Sequence, residues 1–329
     1  MLENKKNILV TGGGGYIGSH TCKYLRLSGF NPVVYDNFIT GHKKFVKWGD
    51  YIEGNIGDKS SFSHALKKYK PISIIHFAGL SNVKESVENP EKYYNENVKS
   101  FENMMEIILE MGVKNFIFSS SAAVYSSDSE MPLTEESRLL PSTPYGQNKL
   151  EIEKILKDLD LKQKIKYIIL RYFNAAGSDL DCEIGELHDP ETHLIPNLIN
   201  SQINNKTAHI YGNDYNTSDG TTVRDYIHVY DLATGHIKAL NYLLKNKKSN
   251  IFNLSSGRGY SILKIIDVFK NLNLDIEYKF LSRRKGDVSE LTADISKAKK
   301  ILNWLPINSD IKTIILTAYK WHRKINSEK

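Results

Sequence analysis

The sequence predicts an α/β protein in which a doubly wound parallel sheet is followed by a smaller α/β domain. Three observations support this fold class. A short apolar run, residues 8–10, leads directly into four consecutive glycines, and a helical pattern follows them. Apolar strands and amphipathic helices then alternate as far as residue 174, which is typical of parallel strands joined by helical crossovers. From residue 175 this alternation gives way to a stretch rich in Gly, Asp, Asn, Thr and Pro.

The turn after the first strand has the pattern of a dinucleotide-binding loop. Its glycines fit both Gly13-x-Gly15-x-x-Gly18 and the looser Gly12-x-x-Gly15-x-x-Gly18. Glycine lets the backbone approach a ligand closely, and the N-terminus of the next helix attracts a phosphate. Asp36 ends the second strand and is placed to accept a hydrogen bond from a ribose hydroxyl. The combination predicts a Rossmann-like dinucleotide site.

The residues after Asp36 bear on which dinucleotide is bound. Asn37 and Phe38 stand there instead of an arginine that would accommodate a 2′-phosphate. NAD is therefore favoured over NADP, although Lys43 and Lys44 leave NADP open.

The remaining elements are predicted from apolar periodicity. Strands are expected at 51–55, 72–78, 115–119, 166–172, 251–254 and 276–280, and helices at 59–69, 101–109, 150–161, 194–203 and 262–269, with a final helical segment. We predict one domain over residues 1–174, to which parts of 225–257 return, and a second domain mainly over 175–329.

Composition and charge restrict the class of partner. The net charge of +6 comes from 44 basic and 38 acidic residues, and the lysines are scattered. That balance suits a small anionic ligand and does not favour nucleic acid. Only Cys22 and Cys182 are present, so no disulfide framework is expected and a reducing, cytoplasmic location is predicted. Neither a signal peptide nor a segment of membrane-spanning length is recognised, and no membrane partner or metal site is predicted.

Tyr145 and Lys149 are the candidate catalytic pair. A phenol has an ordinary pKa of about 10 and is a poor base at neutral pH. A lysine four residues later lies one helical turn on, and its charge favours the phenolate. Residues 119–121 are three serines directly after an apolar strand, which places hydroxyls at the edge of a sheet where ligands gather. Each pattern alone is common, but their order after a dinucleotide loop is not.

At this point the sequence resembles the extended short-chain dehydrogenase/reductases and, within them, the UDP-glucose (UDP-galactose) 4-epimerase family. The resemblance extends over nearly the whole chain. It is carried by Thr11-Gly-Gly-Gly-Gly-Tyr-Ile-Gly-Ser-His20, Asp36-Asn37, His76-Phe-Ala-Gly79, Ser119-Ser-Ser-Ala-Ala-Val-Tyr125, Pro144-Tyr-Gly-Gln-Asn-Lys149, Arg171-Tyr-Phe-Asn174, Tyr211-Gly-Asn-Asp-Tyr215, Asp219-Gly220, Val223-Arg-Asp-Tyr-Ile-His-Val229 and Arg283-Arg-Lys-Gly-Asp287.

The resemblance implies an isomerase that epimerises C4 of UDP-glucose and UDP-galactose through a transient 4-keto sugar, with NAD regenerated in each turnover. Tyr145 would take the proton of the sugar 4-hydroxyl, and Ser121 would hydrogen-bond the same hydroxyl. Lys149 would lower the pKa of Tyr145 and bind the nicotinamide ribose. A homodimer is implied, formed through the helices that contain residues 104–109 and 150–161.

The resemblance also implies the two binding sites, residue by residue. The NAD site would include Gly12, Gly15, Tyr16, Ile17, Gly18, Asp36, Asn37, Asn55, Ile56, Phe77, Ala78, Gly79, Asn97, Ser119, Tyr145, Lys149, Tyr172 and Phe173. The UDP-sugar site would include Ser121, Tyr145, Asn174, His193, Leu194, Tyr211, Arg224, Arg284, Asp287 and Leu291. Of these, Arg224 and Arg284 would hold the diphosphate, Tyr211 the uracil and Asp287 the uridine ribose, while Leu291 would face the sugar C2 substituent.

Four positions depart from the family pattern. Asn55 stands where an aspartate near adenine is common, and Ser81 replaces a frequent lysine near the nicotinamide ribose. Ala123 replaces a small hydroxyl residue, and His193 occupies a position often taken by asparagine beside the substrate phosphates. None of the four removes the serine, tyrosine and lysine set.

Several alternatives stay open from the sequence. A nucleotide-sugar 4,6-dehydratase shares the fold, but it needs an Asp-Glu pair where this chain has Ala122 and Ala123. A non-catalytic NAD-sensing protein typically loses the tyrosine or the lysine, and both are present. A 4-epimerase of UDP-N-acetylglucosamine, UDP-glucuronate or UDP-arabinose is the nearest rival. Leu291 is intermediate in volume, so UDP-glucose and UDP-galactose are expected to be preferred over N-acetylated sugars.

Overall fold

The computed structural model describes residues 6–284 and 286–327. Its strands are β1 (Asn7–Thr11), β2 (Asn31–Asp36), β3 (Asp50–Glu53), β4 (Ser73–His76), β5 (Asn115–Ser121), β6 (Lys166–Tyr172), β7 (Asn174–Ala176), β8 (Ala208–Tyr211), β9 (Val223–His228), β10 (Asn250–Leu254), β11 (Gly259–Ser261), β12 (Tyr278–Leu281) and β13 (Glu290–Leu291). Its α-helices are α1 (Tyr16–Leu27), α2 (Lys59–Tyr69), α3 (Val83–Glu88), α4 (Pro90–Tyr94), α5 (Ser100–Glu110), α6 (Pro144–Leu161), α7 (Leu194–Ile203), α8 (Val229–Asn246), α9 (Ile262–Asn271), α10 (Ser296–Leu302) and α11 (Ile311–Ser327).

Seven parallel strands form the large sheet, in the order β10-β6-β5-β4-β1-β2-β3. The chain moves outward from β1 through β2 to β3, and then returns to place β4 on the other side of β1. In β1 Thr11 therefore lies between Tyr35 of β2 and His76 of β4. A ligand crevice forms where the strand order reverses in this way, outside the carboxyl ends of the strands.

The large sheet is covered on both faces because its strands are apolar on both sides. Successive residues of a strand point to opposite faces. Ile8 and Val10 accordingly belong to one buried apolar cluster, while Leu9 between them belongs to another. The predicted doubly wound α/β fold class is confirmed.

Two smaller sheets and a third apolar cluster lie beyond residue 174. β9 pairs with β7, β11 and β13, and β8 pairs with β12. The third cluster includes Ile195 and Leu198 of α7, Phe269 of α9 and Ile314 of α11. Strand β10 returns to the large sheet beside β6. The domain division at residue 174 stays a prediction.

Several predicted boundaries were wrong by a few residues. The strand expected at 115–119 continues to Ser121. The helix in which residues 150–161 were predicted to lie begins at Pro144 and includes Tyr145 and Lys149. This start follows from Thr143, whose hydroxyl accepts the N–H of Gly146 and caps the helix. The final helical segment is two helices, α10 and α11. None of the helices in the described part of the chain combines the length and apolar character needed to cross a membrane.

Candidate active site

The glycine turn between β1 and α1 is closely packed. Gly12 has a φ of +72°, and a Cβ there would lie 2.6 Å from the backbone nitrogen of Ala78. A Cβ on Gly18 would lie 2.3 Å from the carbonyl oxygen of Gly12. Both positions therefore require glycine, because any side chain would push apart the ends of β1, β4 and α1.

Asp36 lies directly beside this turn. Its carboxylate accepts the N–H of Gly14 at 2.9 Å and the N–H of Phe38 at 2.8 Å. Burial raises the pKa of Asp36, and the two backbone donors oppose that shift. Helix α1 follows with Gly15 as its N-cap and no side chain capping it, so its first N–H groups are available to a phosphate. These residues fit a bound dinucleotide.

The other predicted cofactor residues lie around the same edge of the large sheet. The side chain of Asn97 accepts the N–H of Leu80 at 2.7 Å and donates to its carbonyl at 3.0 Å, which holds the loop after β4. Asn97 itself lies in a π-helical turn, Asn95–Lys99, a feature frequent at functional sites. The Asn55 side chain accepts the N–H of Gly57 at 2.8 Å.

Three further predicted residues contact neighbours across the site. The Tyr16 hydroxyl donates to the carbonyl of Gly177 at 2.6 Å, and burial raises the pKa of Tyr16 well above its ordinary value. The Phe77 ring packs 4.8 Å from the ring of His236. The Tyr172 hydroxyl hydrogen-bonds to the Ser119 hydroxyl.

The candidate catalytic residues come together at the end of β5 and the start of α6. Ser121 is the last residue of β5, and Tyr145 lies in the first turn of α6, where the helix dipole favours a negative charge. Lys149 is buried, and its Nζ donates to the carbonyl of Ser119 at 2.9 Å. The same Nζ lies 5.7 Å from the centre of the Tyr145 ring.

The electrostatics of this pair differ from the sequence-based expectation. Burial raises the pKa of Tyr145 to about 12, although a hydrogen bond from Ser121 acts to lower it. Burial lowers the pKa of Lys149 to about 8. The expected fall in the Tyr145 pKa is therefore absent in the protein alone, because desolvation outweighs the Ser121 hydrogen bond and the Lys149 ammonium bonds the carbonyl of Ser119 rather than the phenol.

Behind the catalytic residues lies a buried ion pair that the sequence analysis did not identify. Arg171 Nη2 is 2.6 Å from Glu153 Oε2, and both side chains are almost fully buried. Ser120 donates to the same Glu153 carboxylate at 2.7 Å. These bonds connect β5, β6 and α6, and so fix the position of the helix that carries Tyr145 and Lys149. Arg171 was noted only as part of a motif.

Most of the predicted substrate residues lie on the small sheet of β9, at the end of β8 and in the loop before β13. Arg224 of β9 has Leu291 of β13 as its strand partner, and its Nη2 lies 3.9 Å from Asp287 Oδ1. The guanidinium of Arg284 stacks 3.9 Å from the centre of the Tyr211 ring. Lys285, which follows Arg284 in the motif that ends at Asp287, lies outside the described residues. The two arginines thus supply the positive charge expected at a diphosphate site.

Asn174 is held by the same small sheet, since its side-chain amide donates to the carbonyl of Asp225 at 2.9 Å. The Asp225 carboxylate accepts the N–H groups of Ser256, Gly257 and Ala293 at 3.0–3.3 Å. Asp225 was not assigned a role from the sequence, although the Arg-Asp pair in its motif was a visible signal.

His193 and Leu194 mark the start of α7. His193 is its N-cap residue, and His193 Nδ1 lies 2.6 Å from Glu186 Oε1. Burial alone would lower the pKa of His193, but the carboxylates of Glu186 and Glu191 raise it above its ordinary value. Glu186 was likewise not recognisable as a site residue from the sequence.

The fold and this site define a nucleotide-binding enzyme class, and comparison with known proteins identifies it. Residues 8–255 match the model of the NAD dependent epimerase/dehydratase family. The chain therefore belongs to this family.

Several similar proteins are named UDP-glucose 4-epimerase. The one from Rhizobium leguminosarum bv. trifolii is 42% identical over 98% of each chain. The crystal structure of UDP-glucose 4-epimerase from Brucella ovis in complex with NAD has a TM-score of 0.92 and 43% identity, over 96% of this chain and 98% of that one. The enzyme from Bifidobacterium longum in complex with NAD⁺ and UDP has a TM-score of 0.92 and 33% identity, over 98% of this chain and 100% of that one.

These comparisons test the predictions made from the sequence. The predicted family, the isomerase class and the cofactor NAD are confirmed. NAD-dependent epimerisation of UDP-glucose at C4 is confirmed as the predicted function over its alternatives. The roles of individual residues, the range of sugars and the homodimer stay predictions.

Proposed function

We propose that the chain interconverts UDP-glucose and UDP-galactose, with Tyr145 as the base, Ser121 as its partner at the sugar 4-hydroxyl and Lys149 beside them. One observation supports this above all: a buried lysine, Lys149, and the half-buried Tyr145 and Ser121 meet at the edge of the large sheet that carries the glycine turn. The alternative UDP-sugars differ from UDP-glucose and UDP-galactose only in substituents away from C4.

In the free protein the Tyr145 phenol keeps its proton at neutral pH. It can act as a base only if a nearby positive charge lowers its pKa. When bound, NAD supplies the hydride acceptor for sugar C4 and a positive charge. Tyr145 can take the 4-hydroxyl proton only if its pKa falls from about 12, and a positive charge close to the phenol favours that fall. Ser121, bonded to the phenol, provides a short path for the proton between sugar and tyrosine.

The predicted cofactor residues would divide the work of holding NAD. The turn that contains Gly12, Gly15 and Gly18 and the uncapped start of α1 would bind the pyrophosphate. Asp36 and Asn37 would bind the adenine-side ribose, and Lys149 the nicotinamide ribose. The other members would line the cavity; they are Tyr16, Ile17, Asn55, Ile56, Phe77, Ala78, Gly79, Asn97, Ser119, Tyr172 and Phe173.

The predicted substrate residues would hold the nucleotide so that C4 of the sugar lies beside Tyr145 and Ser121. Arg224 and Arg284 suit a diphosphate because guanidinium groups form forked, charge-assisted hydrogen bonds. Tyr211 would lie beside the uracil and Asp287 would bind the uridine ribose. Asn174, His193 and Leu194 would contact the sugar and its phosphates, and Leu291 would face C2.

Two coarser properties belong to the same proposal. We expect a homodimer that uses α5 and α6, which analytical ultracentrifugation would detect as twice the mass of one chain. We also expect the protein to work in the cytoplasm, since its two cysteines, Cys22 and Cys182, are buried and form no disulfide with each other.

The deciding experiment is to incubate the purified protein with UDP-galactose and no added reductant. We expect UDP-glucose to accumulate to an equilibrium mixture, while the absorbance of NADH does not grow with product. NADH formed in proportion to product would identify a net dehydrogenase and overturn the proposal. Parallel reactions with UDP-N-acetylglucosamine, UDP-glucuronate and UDP-arabinose would rank the alternative sugars.

A further inference from the structure

Four potential metal ligands converge in the segment before α7. They are Glu186, His188, Glu191 and His193, and one ligand atom of each lies within 4.8 Å of the others. Glu186 Oε1 is 3.1 Å from His188 Nδ1 and 2.6 Å from His193 Nδ1. The Glu191 carboxylate is 3.9 Å from His188 Nδ1 and 3.3 Å from His193 Nδ1. Each carboxylate therefore faces both imidazoles.

The backbone of this segment is held from outside. The indole N–H of Trp321 donates to the carbonyl of Glu186 at 2.8 Å, and His42 Nε2 lies 2.9 Å from the carbonyl of Leu187. Glu191 Oε1 also accepts the backbone N–H groups of Thr192 and His193, both at 2.8 Å. The four side chains are thus positioned by the fold rather than by contact with each other alone.

A second acidic cluster in the same protein shows what the first one lacks. Asp179, Asp181 and Glu183 surround Lys23, whose Nζ lies 2.8–2.9 Å from all three carboxylates. That cluster contains its own cation. Within residues 6–284 and 286–327, neither Glu186 nor Glu191 forms an ion pair with a lysine or arginine.

Charge balance at the first cluster therefore depends on something other than a basic side chain. The side chains of Glu186 and Glu191 are only 3% and 10% exposed. A nearly buried carboxylate is costly unless it is paired. The two carboxylates can be balanced by protons on the imidazoles or by a divalent cation bound in place of those protons.

We propose that Glu186, His188, Glu191 and His193 bind one divalent metal ion, for which zinc is the best fit. Zinc takes imidazole nitrogen and carboxylate oxygen in tetrahedral sites with bonds of about 2.0–2.2 Å. Ligand atoms at the corners of such a tetrahedron are separated by about 3.3–3.6 Å. The nitrogen–oxygen separations of 2.6–3.9 Å bracket that range, so the site closes around the ion with small side-chain shifts.

The position of the site gives the metal a structural role next to the substrate site of the proposed function, on which this role rests. His193 is the residue before α7, and Leu194 is the first residue of that helix. A metal bound through His193 Nδ1 fixes the start of α7 to the segment 186–191. It also adds positive charge beside His193 and Leu194, two residues of the proposed substrate site.

The test is zinc binding to untagged, chelator-treated protein, measured by isothermal titration calorimetry and by metal analysis after dialysis. We expect one zinc per chain. His188→Ala and Glu191→Gln should weaken binding at least about 10–100-fold, the loss typical even of residues that only support a ligand. Cobalt should give the visible absorption of a tetrahedral site, and neither variant should reproduce it.

Two matched controls separate a built site from surface adsorption. His64→Ala removes an exposed imidazole on α2, and Asp181→Asn removes a carboxylate from the Lys23 cluster. Both should bind zinc like the wild type. Wild-type binding below one zinc per chain, or a His188→Ala variant that binds as the wild type does, would overturn the proposal.

Thermal unfolding tests whether the site variants lose zinc binding because they fail to fold. Zinc should raise the melting temperature of the wild type and both controls, since an ion that binds only the folded state stabilises it. In metal-free buffer His188→Ala and Glu191→Gln should melt close to the wild type, and the same zinc concentration should raise their melting temperatures less than that of the wild type. This readout is independent of epimerase activity, so it distinguishes failure of the metal site from failure of the proposed function.

Discussion

The two halves of the active site are built in different ways. The cofactor half consists mainly of backbone groups, those of the glycine turn and of the uncapped start of α1, with Asp36 beside them, whose carboxylate accepts the N–H groups of Gly14 and Phe38. The substrate half consists of side chains from separate segments, with Arg224 from β9, Tyr211 from β8 and Asp287 from a loop before β13. Tyr145 lies between the two.

The two halves should respond differently to substitutions. A backbone site depends on the close packing of a few glycines, so it tolerates little change in shape. A site made of separate charged and apolar side chains can be altered one contact at a time. Changes in the substrate half should therefore act on UDP-sugar binding while leaving NAD bound. Changes at Tyr145, between the two halves, should act on the chemical step alone.

The largest effect on activity is expected at Tyr145, which lies between the two halves. Tyr145→Phe removes the phenolic hydroxyl but keeps the ring, so turnover should fall by about 10²–10⁴-fold or more, the usual contribution of a general acid–base group. NAD affinity should change little. The measurement is kcat in the UDP-galactose assay, with NAD binding followed by fluorescence. Tyr94→Phe, at a 40% exposed tyrosine, is the control. Near-normal turnover in Tyr145→Phe would remove this residue from the mechanism.

The next effect concerns the burial of Lys149, whose pKa is lowered from an ordinary 10.5 to about 8. Between pH 8 and 10.5 the unfolded chain holds a proton that the folded protein has lost, so this group makes the protein more stable as pH rises through that window. Below pH 8 the full cost of burying the charge is present.

Lys149→Met removes that cost, and the NAD-free variant should be more stable than the wild type at pH 7 by up to a few kcal/mol. The advantage should shrink as the pH is raised toward 10. Urea unfolding of both proteins at pH 7, 8, 9 and 10 measures the difference. A gap that stays constant across this range would show that the lysine keeps its ordinary pKa.

Arg224→Gln tests the substrate half. The change removes a guanidinium proposed to bind the diphosphate, and hydrogen bonds to charged groups contribute about 1.5–3 kcal/mol. The KM for UDP-galactose should therefore rise about 10–100-fold, while NAD stays bound as in the wild type. Arg258→Gln, at an exposed arginine close to β11, is the matched control and should leave KM unchanged. An equal loss of NAD would mean that the two halves are not separate.

The smallest effect is expected for Leu291→Ser. The leucine is half-buried beside Arg224, and a pocket that differs by a few carbons discriminates by about 1–3 kcal/mol. The ratio of kcat/KM for UDP-N-acetylglucosamine over UDP-glucose should rise by about tenfold, the lower end of that range.

Leu305→Ser, at a leucine that is 59% exposed, controls for the loss of a leucine elsewhere. If the wild type treats both sugars alike, or if the ratio in Leu291→Ser does not move toward the N-acetylated sugar, Leu291 plays no part in specificity.

The sequence by itself determined the fold class and the cofactor half of the site. Apolar runs that alternate with amphipathic helices specify a parallel sheet, because each strand must be covered on both faces. The glycine turn and Asp36 are close in the chain, and their geometry follows from local sterics. The spacing of Tyr145 and Lys149 likewise follows from the turn of one helix.

Tertiary structure alone decided the rest. Arg224 meets Leu291 and Asp287 only because β9 pairs with β13, and no local pattern encodes that register. The raised pKa of Tyr145 depends on burial that the whole fold creates. The Glu186 cluster needed the segment before α7 to bend until four side chains faced each other. Contacts between residues distant in sequence, and the desolvation they cause, are properties of the folded molecule and not of any single stretch of chain.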